Sequence, residues 1–242
     1  MNAEKNIYDK LIEYFGLEED SINILEETIN TDTQIEYFEF SKNYNSKKSE
    51  DEILRNKDII FDISQPLPDK KASLVELAAL NNIDAYRTIE KYLAQPNIKL
   101  YEWACLALQE CKMHLESNLL DESKVLITTG LGGKGNKLRY FIVLFTPDGR
   151  PLSKIQQEII TKELSYFLPK ADSEFEDILF DGAYASVLAI VPIKINLKEL
   201  FNKVISECNQ LGNFLYNDFI ITNMKALCHN EITNLLRKNN IF

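Results

Sequence analysis

Histidine is almost missing from this chain: only His114 and His229 occur in 242 residues. Cysteine is scarce as well, and Cys105, Cys111, Cys208 and Cys228 form no C-x-x-C pair. Two imidazoles and four unpaired thiols assemble no zinc motif. The thiols read as buried and reduced, as in an intracellular protein. Long apolar runs are missing too. YFIVLF (140–145) and VLAIVPI (187–193) fall far short of the roughly 20 residues that cross a bilayer. Residues 1–20 hold six carboxylates and no long apolar core, which excludes a secretory signal. A cytoplasmic protein without membrane contact is expected. Basic charge is also short, with 27 Lys and Arg against 37 Asp and Glu for a net charge of −10. That balance argues against binding a nucleic-acid backbone.

What is present is an apolar fraction of 45%, enough for a sizeable core. The acidity lies in front: the first 70 residues carry 8 basic and 17 acidic groups. Tyr8, Leu11, Ile12 and Phe15 recur at helical spacing before Gly16, and a short helix is expected after Ser21. QIEYFEF (34–40) alternates as a strand does. Residues 41–52 are polar and aperiodic, so a flexible loop is expected, and QPLPD (65–69) reads as a proline-rich break. Beyond it, Ser73 with Glu76 predicts a capping box. Asp84 is the expected cap of the next helix, Pro96 its end, and a longer helix runs from about Ile98 to Glu116.

QPNIKLYEWACLALQECK (95–112) resembles the second half of a HEAT repeat. Leu100, the small pair Ala104 and Cys105, and Ala107-Leu108 stand at the family's positions, with Cys111 at the closing apolar one. Tyr101, Gln109 and the Gln95/Asn97 turn depart from the pattern. The likeness covers about residues 73–117. It implies two antiparallel helices in close contact, of a kind used for protein binding.

The later residues change character. VLITT (125–129) and LRYFIVLF (138–145) read as strands, and TPDGRP (146–151) as a turn. Ser153 with Gln156 predicts a helix cap, and Pro169 a stop. FEDILF and SVLAIVPI flank a turn near Asp181-Gly182. Asn196 caps an amphipathic helix ending at Gly212, DFIIT (218–222) is a strand, and 223–238 a final helix. The order β-β-α-β-β-α-β-α predicts an antiparallel sheet with helices on one face, an α+β domain over 123–242, behind a mostly helical region over 1–120.

Four of the eight glycines crowd into TTGLGGKGNK (128–137). Gly130, Gly132 and Gly135 satisfy G-x-G-x-x-G, but a strand follows where a dinucleotide site needs a helix. A Walker loop would need Lys at Asn136. The candidate ligand- or partner-binding residues are therefore Gly130, Gly132, Gly133, Lys134, Gly135, Asn136, Lys137 and Arg139, as a turn that meets a partner or receives an anion. Lys137 and Arg139 are expected on one strand face. The acidic stretch Glu174, Glu176, Asp177 and Asp181 reads first as a solvated strand edge. It also leaves open a metal-dependent enzyme of unfamiliar type. His114 reads as solvated or capping, Trp103 as core or a contact between domains, and adjacent Cys228 and His229 as pointing apart. No catalytic residue, metal or cofactor is assigned. The leading expectation is a non-enzymatic interaction protein with a protein partner, self-association being allowed. The alternative is an anion- or nucleotide-responsive domain.

Overall fold

The computed structural model describes residues 21–120 and 124–238. The helix expected around Tyr8–Phe15 lies outside them. The described chain divides into two compact units, one ending at Thr128 and the other beginning at Thr129. This boundary falls inside the VLITT segment (125–129), before its last residue, rather than ahead of it.

The first unit is helical. β1 (Ile22–Ile24) stands where a helix was expected. It pairs in parallel with β2 (Val125–Ile127), Asn23 opposite Leu126. Strand VLITT therefore exists but belongs to the helical unit. Three apolar residues carry no signal of which strand they will pair with. α1 (Thr31–Asn43) replaces the strand-like reading of 34–40. Gln34, Tyr37 and Ser41 recur at helical spacing, the first two are buried, and Asn30 caps the helix. α2 (Glu50–Arg55) opens on a full capping box from Ser49 and Glu52. A 3-10 turn covers Lys57–Ile60.

α3 (Leu67–Ala78) corrects two expectations. The prolines of 65–69 begin a helix, because Pro is tolerated in a first turn whose N–H groups have no helical partner. Ser73 and Glu76 are thus buried at mid-helix and cap nothing. Glu76 instead accepts hydrogen bonds from Tyr44 Oη (3.0 Å), Ser46 Oγ (2.8 Å) and Lys48 Nζ (2.8 Å). The segment 41–52, expected as a flexible loop, contains the end of α1 and the start of α2. Its linker is tied to that buried carboxylate.

α4 (Ile83–Leu93) is capped by Asn82, whose side chain accepts from the N–H groups of Asp84 and Ala85, so Asp84 is not the cap. α5 (Tyr101–Leu120) follows a 3-10 turn at Ile98–Leu100. Ala104, Cys105, Ala107 and Cys111 are all buried on α5, in one core with Ala85, Ile89 and Tyr92 of α4. Trp103 is a core residue of this unit, its Nε1 donating to the Lys71 carbonyl (3.2 Å). A second polar knot crosses the core. Glu110 accepts from Tyr37 Oη (2.5 Å) and Ser41 Oγ (2.9 Å), with His114 Nε2 3.9 Å away. Burial works against the Glu110 charge, but the bonds from His114, Tyr37 and Ser41 outweigh it and lower its pKa.

The second unit is the expected α+β layer, with the short strand Gly133–Lys134 in the first place that VLITT was expected to fill. β3 (Gly133–Lys134) and β4 (Lys137–Phe145) form a hairpin. α6 (Lys154–Lys170) starts on the Ser153/Gln156 capping box and runs one residue past Pro169. β5 (Glu174–Asp181) and β6 (Tyr184–Pro192) form the second hairpin, turning at Gly182 with φ +57°. α7 (Leu197–Gln210) is capped by Asn196. β7 (Ile220–Thr222) pairs with β4, and α8 (His229–Lys238) is shorter than expected. The sheet is antiparallel in the order β3-β4-β6-β5. Phe141, Val143 and Phe145 of β4 share one cluster with Ile232 and Leu236 of α8. Ile142 and Leu144, on the opposite face by alternation, are buried as well.

Candidate functional site

The glycine-rich segment is a tightly packed connection followed by a hairpin. Gly130 lies against the backbone of Met224: a Cβ added there would fall on the Met224 carbonyl oxygen, with its carbon at 2.6 Å. Leu131 N donates to the Asn223 carbonyl (3.0 Å) and Gly132 N to the Thr129 carbonyl (3.2 Å). Residues 130–133 are buried. Gly132 and Gly135 take positive φ, +68° and +60°, and Gly135-Asn136 forms the two-residue turn between β3 and β4. A phosphate cradle needs convergent free N–H groups. Here two of the amides already serve backbone carbonyls.

The charges of the loop are met from within the unit. Lys134 Nζ bonds both carboxylate oxygens of Glu174 (2.8 and 3.1 Å). Lys137 Nζ reaches the carbonyl and carboxylate of Asp172 (2.6 and 2.9 Å). Arg139 grips Glu176 through two nitrogens (2.6 and 3.0 Å) and gives Nη1 to the Leu131 carbonyl (2.8 Å). The cationic loop and the acidic strand, separate candidates in the sequence, are each other's counter-charges. Register explains the meeting: β6 lies between β4 and β5, with Ile190 opposite both Arg139 and Glu174. The Lys134 bond lowers the pKa of Glu174. Among the described residues no three His, Cys, Asp or Glu side chains are placed to hold a metal ion.

A second cluster joins residues that sequence distance had hidden. Asp181 closes β5, Tyr184 opens β6 and His229 opens α8. His229 Nδ1 lies 2.6 Å from Asp181 Oδ2 and 2.8 Å from Tyr184 Oη, which donates to the same Asp181 oxygen (2.8 Å). The bonds from His229 and Tyr184 lower the Asp181 pKa, while burial, then the Asp181 bond, raises that of Tyr184. Cys228 turns elsewhere: its N–H donates to Glu231 (3.0 Å), which also pairs with Lys225. The cluster thus ties the start of α8 to the β5–β6 hairpin. Because the folded-state pKa of Asp181 is depressed, its contribution to stability is present above the ordinary carboxylate value, about 3.9. It is lost as pH falls through the folded-state pKa. Urea titrations should therefore find Asp181→Asn less stable than wild type at neutral pH, with the gap closing in acid. A gap independent of pH would mean the carboxylate charge is irrelevant to the tie.

The remaining thiols are inert by burial, which pushes Cys105 and Cys111 up to about 11 and Cys208 up to about 12.

The helical unit carries an open cleft of about 880 Å³. Its walls come from the 3-10 turn and following loop (Ile60, Phe61, Ile63), from the first turn of α3, and from the Ala94–Lys99 connection between α4 and α5. Phe61 and Tyr92 stand edge to face, ring centres 5.6 Å apart. Tyr92 Oη accepts from Asn97 N (3.2 Å) and so fixes the connection. Lys70, Lys91 and Lys99 also line the cleft. Nothing in the sequence marked these residues, because they lie on three separate elements and form no motif.

No protein-family model matches the chain, and no curated protein matches it. A crystal structure from Deinococcus radiodurans R1, provisionally assigned as a transposase, is similar at a TM-score of 0.36 and 12% identity, over 45% of this chain and 94% of that chain. Likeness at that level carries neither fold nor activity across. Among the described residues no helix is long and apolar enough to cross a membrane.

Proposed function

We propose that this is a non-enzymatic interaction protein that holds a segment of a partner protein in the cleft of its helical unit. The observation that supports this reading is the chemistry of the cleft walls. The described residues that line it offer aromatic, aliphatic, amide and ammonium groups. They include no carboxylate, imidazole or thiol, so the lysines and Tyr92 have no such partner in the lining to activate them as base or nucleophile. Such a surface suits recognition of a partner. Ile63 and Ile98, at or beside the rim, are 96% and 86% exposed. Apolar side chains around a concave site are typical of protein contact surfaces. The connection forming one wall belongs to the helix pair that resembles a HEAT repeat, and that resemblance supports the same use.

Site-specific photocrosslinking tests the proposal. A photoreactive residue at Ile63 or Ile98 should give a discrete protein adduct in cell extract, lost in Phe61→Ala. The same group at exposed Lys198 should not. Equal labelling from all three positions, or adducts indifferent to Phe61, would overturn the assignment. An adduct with the mass of two copies would make the partner a second copy of this chain.

A further inference from the structure

We infer that the segment held in this cleft is acidic: a peptide carrying Asp or Glu beside an apolar anchor. The inference rests on the cleft being a docking site and adds the charge of its occupant. The first 122 residues carry 13 basic and 25 acidic groups, yet the described lining of the cleft has three lysines and no carboxylate. Other lysines of the unit have found acids: Lys48 pairs with Glu76 and Lys71 with Glu36. Lys70, Lys91 and Lys99 form no ion pair at contact distance among the described residues. Asp62, on the neighbouring loop, feels the charge of Lys70 but accepts its hydrogen bonds from Ser64 and Gln65.

Lys70 decides the matter. It is 4% exposed, and no hydrogen bond or ion pair holds its ammonium among the described residues. The ammonium is not sealed off, since no described buried side-chain nitrogen lacks a partner. It keeps its hydration through the cleft. An ammonium in an enclosed cleft with no carboxylate bonded to it favours whatever brings it one. Lys91 lies 5.6 Å from the centre of the Phe61 ring, so one side of the aromatic floor is already cationic. Lys99 completes the set at the α4–α5 connection. The exposed Ile63 and Ile98 extend the apolar surface past the charged cleft, which suits a chain better than a small anion.

Fluorescence anisotropy with three labelled peptides tests this on the full chain. Each has a central Leu-Phe pair, flanked by Glu, by Gln or by Lys. The Glu peptide should bind about tenfold or more tightly than the Gln peptide, and the Lys peptide weakest. The preference should shrink with added salt. Lys91→Met and Lys99→Met should each weaken the Glu peptide by about threefold, and Lys70→Met by about tenfold or more, since it is the most enclosed of the three. Lys70→Met keeps the packed stem, so its melting temperature should stay near that of wild type while binding falls. A merely structural Lys70 would lose stability and leave binding unchanged. Equal binding of Glu and Gln peptides would overturn the acidic occupant and leave the docking site standing. Binding of none of the three would overturn both. Inorganic pyrophosphate displacing the Glu peptide at equal concentration would make the site one for small anions and overturn the peptide.

Discussion

Gly130→Ala should destabilise the sheet unit by about 3 kcal/mol or more, a large share of a typical stability of 5–15 kcal/mol. The new methyl group meets the Met224 carbonyl, and the next contacts, the Met224 carbonyl carbon at 2.6 Å and Cα at 3.2 Å, are backbone as well. No side chain can rotate away. The backbone cannot retreat cheaply either, because the adjoining Leu131 N–H is bonded to the Asn223 carbonyl. Gly135→Ala is the control. Its Cβ would meet nothing, and the cost is the strain of φ +60° alone, about 1 kcal/mol. Urea unfolding of the two variants checks the contrast. Equal losses would mean that the close approach at Gly130 contributes nothing. The glycines would then act alike, as tolerant turn residues.

Trp103→Ala should cost about 3–5 kcal/mol, the usual loss for deleting a large buried aromatic. The ring is 1% exposed and meets Tyr37 and Phe40 edge to face, with centres 5.1 and 5.7 Å away. The Lys71 ammonium sits 4.1 Å above it. The substitution removes all three contacts and the indole hydrogen bond, and α1, α3 and α5 lose their common anchor. Far-UV circular dichroism during thermal melting is the measure, since the chain has no other tryptophan to report by fluorescence. Trp103→Phe should lose less, keeping the aromatic contacts and forfeiting the hydrogen bond. A Trp103→Ala protein melting like wild type would show that the helical core does not depend on this residue.

Where structure follows from neighbours in sequence, the residues announced it. The Ser153/Gln156 cap, the Asn196 cap and the Gly182 turn each rest on contacts a few residues apart, and β4 and β6 were marked by their own apolar runs although they pair across 39–55 residues. The α+β class of the second unit follows from their order. Local pattern misled where a distant contact outweighed it. Glu76 looked like a helix cap and is a buried acceptor for residues about thirty positions earlier. QIEYFEF looked like a strand and is a helix because Tyr37 finds Glu110 and Trp103. VLITT was read correctly as a strand and given to the wrong unit, since its partner β1 lies about a hundred residues away.

The glycine segment divides along the same line. Its residues by themselves determined a turn that a strand would follow, because glycine alone accepts positive φ at no cost and no helix start comes after it. They could not reveal that Lys134, Lys137 and Arg139 face carboxylates some 35–40 residues further on. Nor could they show that Asp181 meets His229 across 48 residues, or that Lys70, Lys91 and Lys99 share one cleft. Backbone preference is a property of a few neighbouring residues, and sequence carries it. Whether a charge is neutralised or left open depends on which distant strand or helix the packed core sets beside it, and only the tertiary structure decides that.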